Sequence, residues 1–265
     1  MAEVILHLTI PAESWRHIRD TVLGQYIKGS LILVFGTATL SILLGVSSAW
    51  LVACCKFPGR KFFEWALILP LAIPTYIAAY SYFDLLDKLN PLLIWIRLNI
   101  STEVMILISD VIVYPMTIIV LASVLYPYVY LVARAAFTQQ SNQFIEAART
   151  LGHGPHSTFW RTALPLARPA IVGGVSLVIM ETLNDYGAVK HFNIPTFTTG
   201  IFRTWLSIGD LPGALRLAAC LMLLILFLLV LEKWLRFGAK FHNNSQSDQS
   251  FKPYELNQKK ILFSN

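Results

Sequence analysis

The sequence predicts an all-α fold: a polytopic membrane helix bundle of about five transmembrane helices. Three observations carry that expectation. Of the 265 residues, 55% are hydrophobic and only 14% charged, where a soluble domain carries about 25% charge. The mean hydropathy is +0.59. The apolar residues also gather into runs as long as a spanning helix needs, about 20 residues.

The runs follow in order. The first is Gly29 to Cys54, without a charge. The second is Phe62 to Leu86, with Glu64 at its start and Asp84 near its end. The third, Val104 to Ala133, is interrupted by Asp110, Pro115 and Pro127. The fourth, Pro169 to Ala188, contains Glu181 and Asp185, and the fifth is Leu211 to Leu235. This length leaves no room for a separate soluble domain. The chain divides into an external segment (1–27), a transmembrane domain (28–236) with a cytoplasmic loop at 137–168, and a polar, aperiodic tail (237–265) that reads as a linker.

Charge sets the orientation. The segment Lys56–Lys61, the loop with Arg134, Arg149, Arg161 and Arg168, and the tail from Lys233 hold 13 of the 21 Lys and Arg residues. All three fall on one side, and cytoplasmic loops carry the excess of basic residues. The same rule accounts for the net charge of +6 without a nucleic-acid partner. Met1 to Tyr26 carries scattered charges and no signal-peptide pattern. Cys54, Cys55 and Cys220 lie in or beside apolar runs, with no zinc-type spacing, and read as small buried hydrophobes. The nearest approach to a phosphate-binding loop, Gly24 to Ser30, lacks the lysine after its second glycine.

The loop between spans three and four is the most informative stretch. Ser141 or Asn142 suits an N-cap and Gly152 suits the left-handed stop. Between them Phe144, Ala147, Ala148 and Leu151 recur at helical spacing and form one narrow apolar stripe. Pro155 suits the first turn of a second short helix, which carries Phe159 and Trp160 and ends at Leu164-Pro165. Ten-residue helices are marginal alone in water. This one packs either on its own bundle or in a partner's groove.

Glu146-Ala147-Ala148, three residues, Gly152, nine residues, then Thr162-Ala163-Leu164-Pro165 resembles the EAA loop of binding-protein-dependent ABC transporter permeases. Thr162 stands where that pattern has isoleucine. The resemblance extends over most of residues 20 to 240. Tyr126-Pro127-Tyr128-Val129-Tyr130, Glu181 to Gly187 and Phe197 to Trp205 look like iron(III) importer permeases, and the chain resembles the first half of such a two-half permease. The resemblance implies a multi-pass subunit of a bacterial plasma (inner) membrane. It is not itself an enzyme, has no nucleotide site, and works with an ABC ATPase dimer, a second permease half or subunit, and a periplasmic or lipid-anchored substrate-binding protein. It implies ATPase docking through Glu146, Ala147, Ala148, Gly152, Leu164 and Pro165. No cofactor is expected, no residue is assigned to catalysis, and no metal ligand set is assigned. Thiamine, sulfate and polyamine are the other cargoes the same permease type admits, and an inactive half-transporter is the remaining reading. The six histidines are scattered, which disfavours a membrane enzyme, whose site needs a concentrated constellation.

Ionisable groups inside a membrane usually face a cavity or a partner. Glu181 and Asp185 are four residues apart with Asn184 beside them, and Asp110 lies in span three. On span two Tyr76, Tyr80 and Asp84 recur every four residues. Two readings fit. Glu181, Asn184, Asp185, Asp110, Tyr76 and Tyr80 line a translocation path, where carboxylates would suit a hard trivalent cation. Or the acidic groups pair within the bundle while the tyrosines form an interfacial belt.

Overall fold

A computed structural model describes residues 15–87, 91, 94–95, 98, 102–139, 154–236 and 254–255. The long helices are α1 (Trp15–Cys54), α4 (Thr102–Gln139), α5 (Phe159–Asn184) and α8 (Leu211–Arg236). Between α1 and α4 lie α2 (Arg60–Ala66), a 3₁₀ turn (Leu69–Ala72) and α3 (Thr75–Asp87). Between α5 and α8 lie α6 (Gly187–His191) and α7 (Phe197–Phe202). Among the described residues four helices are long and apolar enough to cross a membrane, and a fifth crossing is made if the bent pair Arg60–Ala72 and Thr75–Tyr82 counts as one. The expected all-α bundle of about five spans is therefore what the chain forms. Among the described residues the only ladder is a two-residue parallel pair, Cys55–Lys56 with Tyr254–Glu255. The remainder of the tail expected at 237–265 lies outside the described residues.

Helices in lipid gain nothing from hiding apolar side chains, because the lipid tails are equally apolar. They associate through close van der Waals contact, and small residues permit it. α1 supplies them. A Cβ on Gly45 would stand 2.8 Å from the Val129 Cβ and 3.0 Å from the Tyr130 amide nitrogen of α4. A Cβ on Gly174 of α5 would stand 3.0 Å from the Val129 Cα. Val129, fully buried, is thus clasped between two glycines on two other helices. Leu33, Val120, Leu121, Leu125, Tyr130, Ala133 and Val178 belong to the same buried core. α8 lies at the edge of the bundle and leaves Leu223, Phe227, Val230 and Trp234 exposed.

Second, the run expected as one span at Phe62 to Leu86 is broken. Its two halves meet at 89°. Ile73 is extended (φ −95°, ψ 115°) because the residue before a proline avoids the helical region, and Pro74 follows it. By contrast α4 passes through Pro115 and Pro127 without ending. Prolines inside membrane helices are tolerated where neighbouring groups satisfy the freed backbone.

Two further boundaries differ from expectation. The second loop helix was expected to end at Leu164-Pro165. Instead a helical turn (Pro155–Thr158) enters a π-helical turn (Phe159–Ala163) that continues directly into α5. Pro165 lies within this continuous helix, at the junction where the π-helical turn gives way to the regular α segment. At the other end α5 stops at Asn184, and Asp185 is extended (φ −64°, ψ 127°). The expected fourth span to Ala188 therefore closes four residues early, and Glu181 and Asp185 do not share one helix.

If the Val129 clasp holds the bundle, filling it destabilises the protein. Gly45→Leu and Gly174→Val should each lower the melting temperature of the detergent-solubilised chain, by an overpacking cost of about 1–3 kcal/mol. Gly154→Ala, where a Cβ meets nothing within 4 Å, should leave it unchanged.

Candidate functional site

The chemistry-bearing residues gather at the two ends of the bundle. At the end expected to be cytoplasmic, Trp50 of α1, Phe137 of α4 and Phe159 at the start of α5 form an aromatic cluster. Trp50 lies 5.5 Å from Phe137 and 5.0 Å from Phe159, ring centre to ring centre. Phe159 is half-buried and Leu164 packs on the same core, while Trp160 beside it is exposed. An ion pair between Arg134 of α4 and Glu64 of α2, both partly buried, clamps the broken helix to the bundle. The Tyr130 hydroxyl adds a bond to the Glu64 carbonyl at 3.1 Å. The incoming arm of the loop is thus welded to three helices. Glu146, Ala147, Ala148 and Gly152 lie outside the described residues. Leu164 and Pro165 are described, half-buried in the helix that the arm enters.

Cys55 is buried just past α1, and burial pushes its thiol up, with Arg60 pulling the other way. A thiol held neutral is a poor nucleophile and ligand, in keeping with a packing role.

At the opposite end Asp185 joins four segments. Its carboxylate accepts from the Thr75 hydroxyl of α3. The other oxygen accepts from the amides of Ala188 at 2.9 Å and Val189 at 3.2 Å, capping α6. Its carbonyl accepts from the Thr198 hydroxyl of α7 at 2.8 Å. The expected grouping with Glu181 rested on an unbroken helix; the turn instead makes Asp185 a cap. Glu181 and Asn184 remain on α5 and are exposed, with the Tyr128 hydroxyl hydrogen-bonded to Glu181. Tyr76 and Tyr80 are 57% and 71% exposed. The Cβ of Tyr76 packs on Gly187, and Tyr80 lies 5.5 Å from the His191 ring. The Asp110 backbone belongs to α4, but its side chain lies outside what is described. Among the described residues no three His, Cys, Asp or Glu side chains converge as a metal site would require.

Sequence reasoning missed Thr75, Thr198, Tyr128 and the Glu64–Arg134 pair. One signal was available: an aspartate just ahead of a short helix, as Asp185 is ahead of Gly187–His191, is a helix-start pattern.

The sequence model of the family described as "Binding-protein-dependent transport system inner membrane component" matches residues 41–239. Among curated proteins, the chain is 28% identical over 215 residues to the Fe(3+)-transport system permease protein FbpB 2 of Haemophilus influenzae, covering 81% of this chain and 38% of that protein. It is 26% identical to the molybdenum transport system permease protein ModB of Escherichia coli, covering 78% of this chain and 92% of ModB. It is 28% identical to a probable sulfate transport system permease protein of Chlorokybus atmophyticus, covering 81% and 74%. Two solved structures share the fold. A bacterial ABC transporter involved in the import of the acidic polysaccharide alginate superposes with a TM-score of 0.66 at 18% identity, over 89% of this chain and 87% of that one. An inward-facing MetNI methionine ABC transporter does so with 0.60 at 16%, over 81% and 94%.

The capping role separates the two acidic residues experimentally. Asp185→Ala should speed hydrogen exchange at the Ala188 and Val189 amides several-fold, as expected for losing a cap of about 1 kcal/mol. Glu181→Gln should leave those amides unchanged.

Proposed function

The chain belongs to the family of binding-protein-dependent transport system inner membrane components, and from that premise we propose that it is the membrane-spanning subunit of an ATP-driven importer. Substrate passes from an external binding protein to the cytoplasm, and a separate ATPase dimer supplies the energy. The observation that carries the coupling role is the fusion of the loop's second arm with α5. Pro155–Thr158 and the π-helical turn form one continuous rod with the membrane helix, and the Trp50–Phe137–Phe159 cluster ties it to α1 and α4. A push on the loop therefore moves three helices together. ATP shifts the permease only as far as it favours one packing over the other, and a packed core with few voids transmits such a push.

In this reading Glu146 anchors the ATPase by charge, Ala147 and Ala148 allow close approach, and Gly152 permits the chain reversal. Leu164 and Pro165 seat the arm. The exposed Glu181, Asn184, Tyr76 and Tyr80 line the path where a second permease half or subunit closes it. Asp110 belongs to the same proposed path, and Asp185 holds its outer end in shape. The cargo proposed is iron(III), supported by the Haemophilus influenzae relative. A free oxyanion is the second reading, supported by the molybdenum and sulfate relatives, more of whose length the chain spans. The membrane in this reading is the bacterial inner membrane, with the basic loops on its cytoplasmic side.

Co-reconstitution with the partner ATPase, binding protein and second permease half tests this. Cargo-loaded binding protein should stimulate ATP hydrolysis severalfold, and Gly152→Trp should abolish both stimulation and co-purification of the ATPase. Stimulation and co-purification unchanged in Gly152→Trp would sink the docking assignment.

A further inference from the structure

The outer end of the bundle holds a cavity of about 500 Å³, between the start of α1 and the α6–α7 segment. That volume falls within the range of small-ligand sites, roughly 300–1,000 Å³. Its walls are fixed by the backbone. A Cβ on Gly29 would lie 2.0 Å from the Pro195 carbonyl oxygen, so the loop rests directly on α1. The Phe197 amide donates to the Ser30 hydroxyl at 3.2 Å, and the Tyr26 ring lies against Gly200. Asn193 holds a left-handed φ of 54°, and Thr196 and Thr199 close a capping box on α7. The Tyr186 and Phe202 rings stack at 4.0 Å.

Into this preformed cavity come two cations, Lys190 and Arg203, with Asn193, Thr199 and Ser207 among the polar lining. Among the described residues neither cation meets a carboxylate. The two acidic residues of the segment are occupied elsewhere. Asp185 caps α6 and Asp210 accepts from the Gly213 amide at 2.9 Å, at the start of α8. Lys190 lies 5.1 Å over the Tyr186 ring, a contact that leaves its ammonium hydrogens available. Basic residues are depleted on the external side of a membrane protein. Lys190 and Arg203 are both exposed on this one cavity, and the pair suits an incoming anion, with the guanidinium offering paired donors to two oxygens.

We propose that this cavity receives an oxygen-rich anion at the outer mouth of the permease. The anion is either the cargo itself, as an oxyanion, or iron(III) held in an anionic oxygen-ligand complex. The assignment rests on the importer reading, which places this end outside, and it sets a chemical limit on cargo: a bare trivalent cation is repelled.

The test is titration of the full purified chain, in micelles of an uncharged sugar detergent at constant ionic strength, with sulfate, molybdate and ferric citrate in turn. Saturable binding of at least one is expected, weakened tenfold or more in Arg203→Gln and in Lys190→Gln. Lys61→Gln, at the opposite end of the bundle, should bind as the wild type does. Arg203→Lys should bind with intermediate strength, which separates lost charge from a misfolded chain. Binding of sulfate or molybdate identifies a free oxyanion, and binding of ferric citrate alone identifies the iron complex. No saturable binding of any of the three, binding unchanged in both glutamine variants, or a response to phosphatidylglycerol alone would overturn the proposal. Because no ATPase is present, such a failure beside normal cargo-stimulated ATP hydrolysis would remove the cavity assignment and leave the importer reading standing.

Discussion

Everything else in the bundle depends on how closely α1, α4 and α5 approach at Val129. The side chain is fully buried, with Gly45 on one side and Gly174 on the other. A membrane offers no general hydrophobic force to bring these helices together, so contact at van der Waals distance has to do it. Two missing Cβ atoms allow that distance. The clasp fixes the register of the three helices, and the register decides what meets at each end. Toward one end it aligns Trp50, Phe137 and Phe159. Toward the other it brings Ser30 to the Phe197 amide.

The two ends are built differently. The end carrying Phe159 is apolar and continuous: aromatic rings lock the arm after the loop to the long apolar helices. The end carrying Asp185 is polar and segmented. There the broken helix begins α3 with Thr75, whose hydroxyl reaches Asp185, and Asp185 in turn holds α6 and α7. The rigid end at Phe159 suits the transmission of a push, and at the other end the hydrogen bonds of Asp185 and Thr198 hold short helices in fixed positions.

Much of this was legible in the sequence. Apolar runs located α1, α4, α5 and α8, because a membrane span has to be continuously apolar and about 20 residues long. Spacing around Glu146 and Gly152 carried the family resemblance, and the family match over residues 41–239 agrees with it. What composition could not reveal was backbone direction. A run of apolar residues reads the same whether straight or bent at Pro74, and Glu181 and Asp185 look like helical neighbours until Asp185 turns away to cap α6. Prolines are ambiguous for the same reason: Pro115 and Pro127 leave α4 intact, while Pro74 follows a right-angle break. Lys190 and Arg203 carried no signal in the sequence, because their placement on one cavity depends on the fold of the segment between them.

The central claim is that the end carrying Phe159 faces an ATPase and the end carrying Arg203 does not. Photo-crosslinking tests it most directly. A benzoylphenylalanine placed at position 154, beside the aromatic cluster, or at position 207, in the outer cavity, would be irradiated in membranes containing the assembled transporter. The account predicts that position 154 captures the ATPase, with a yield that changes when ATP binds, and that position 207 does not. Capture of the ATPase from position 207, or from neither position in an assembled and active transporter, would contradict it.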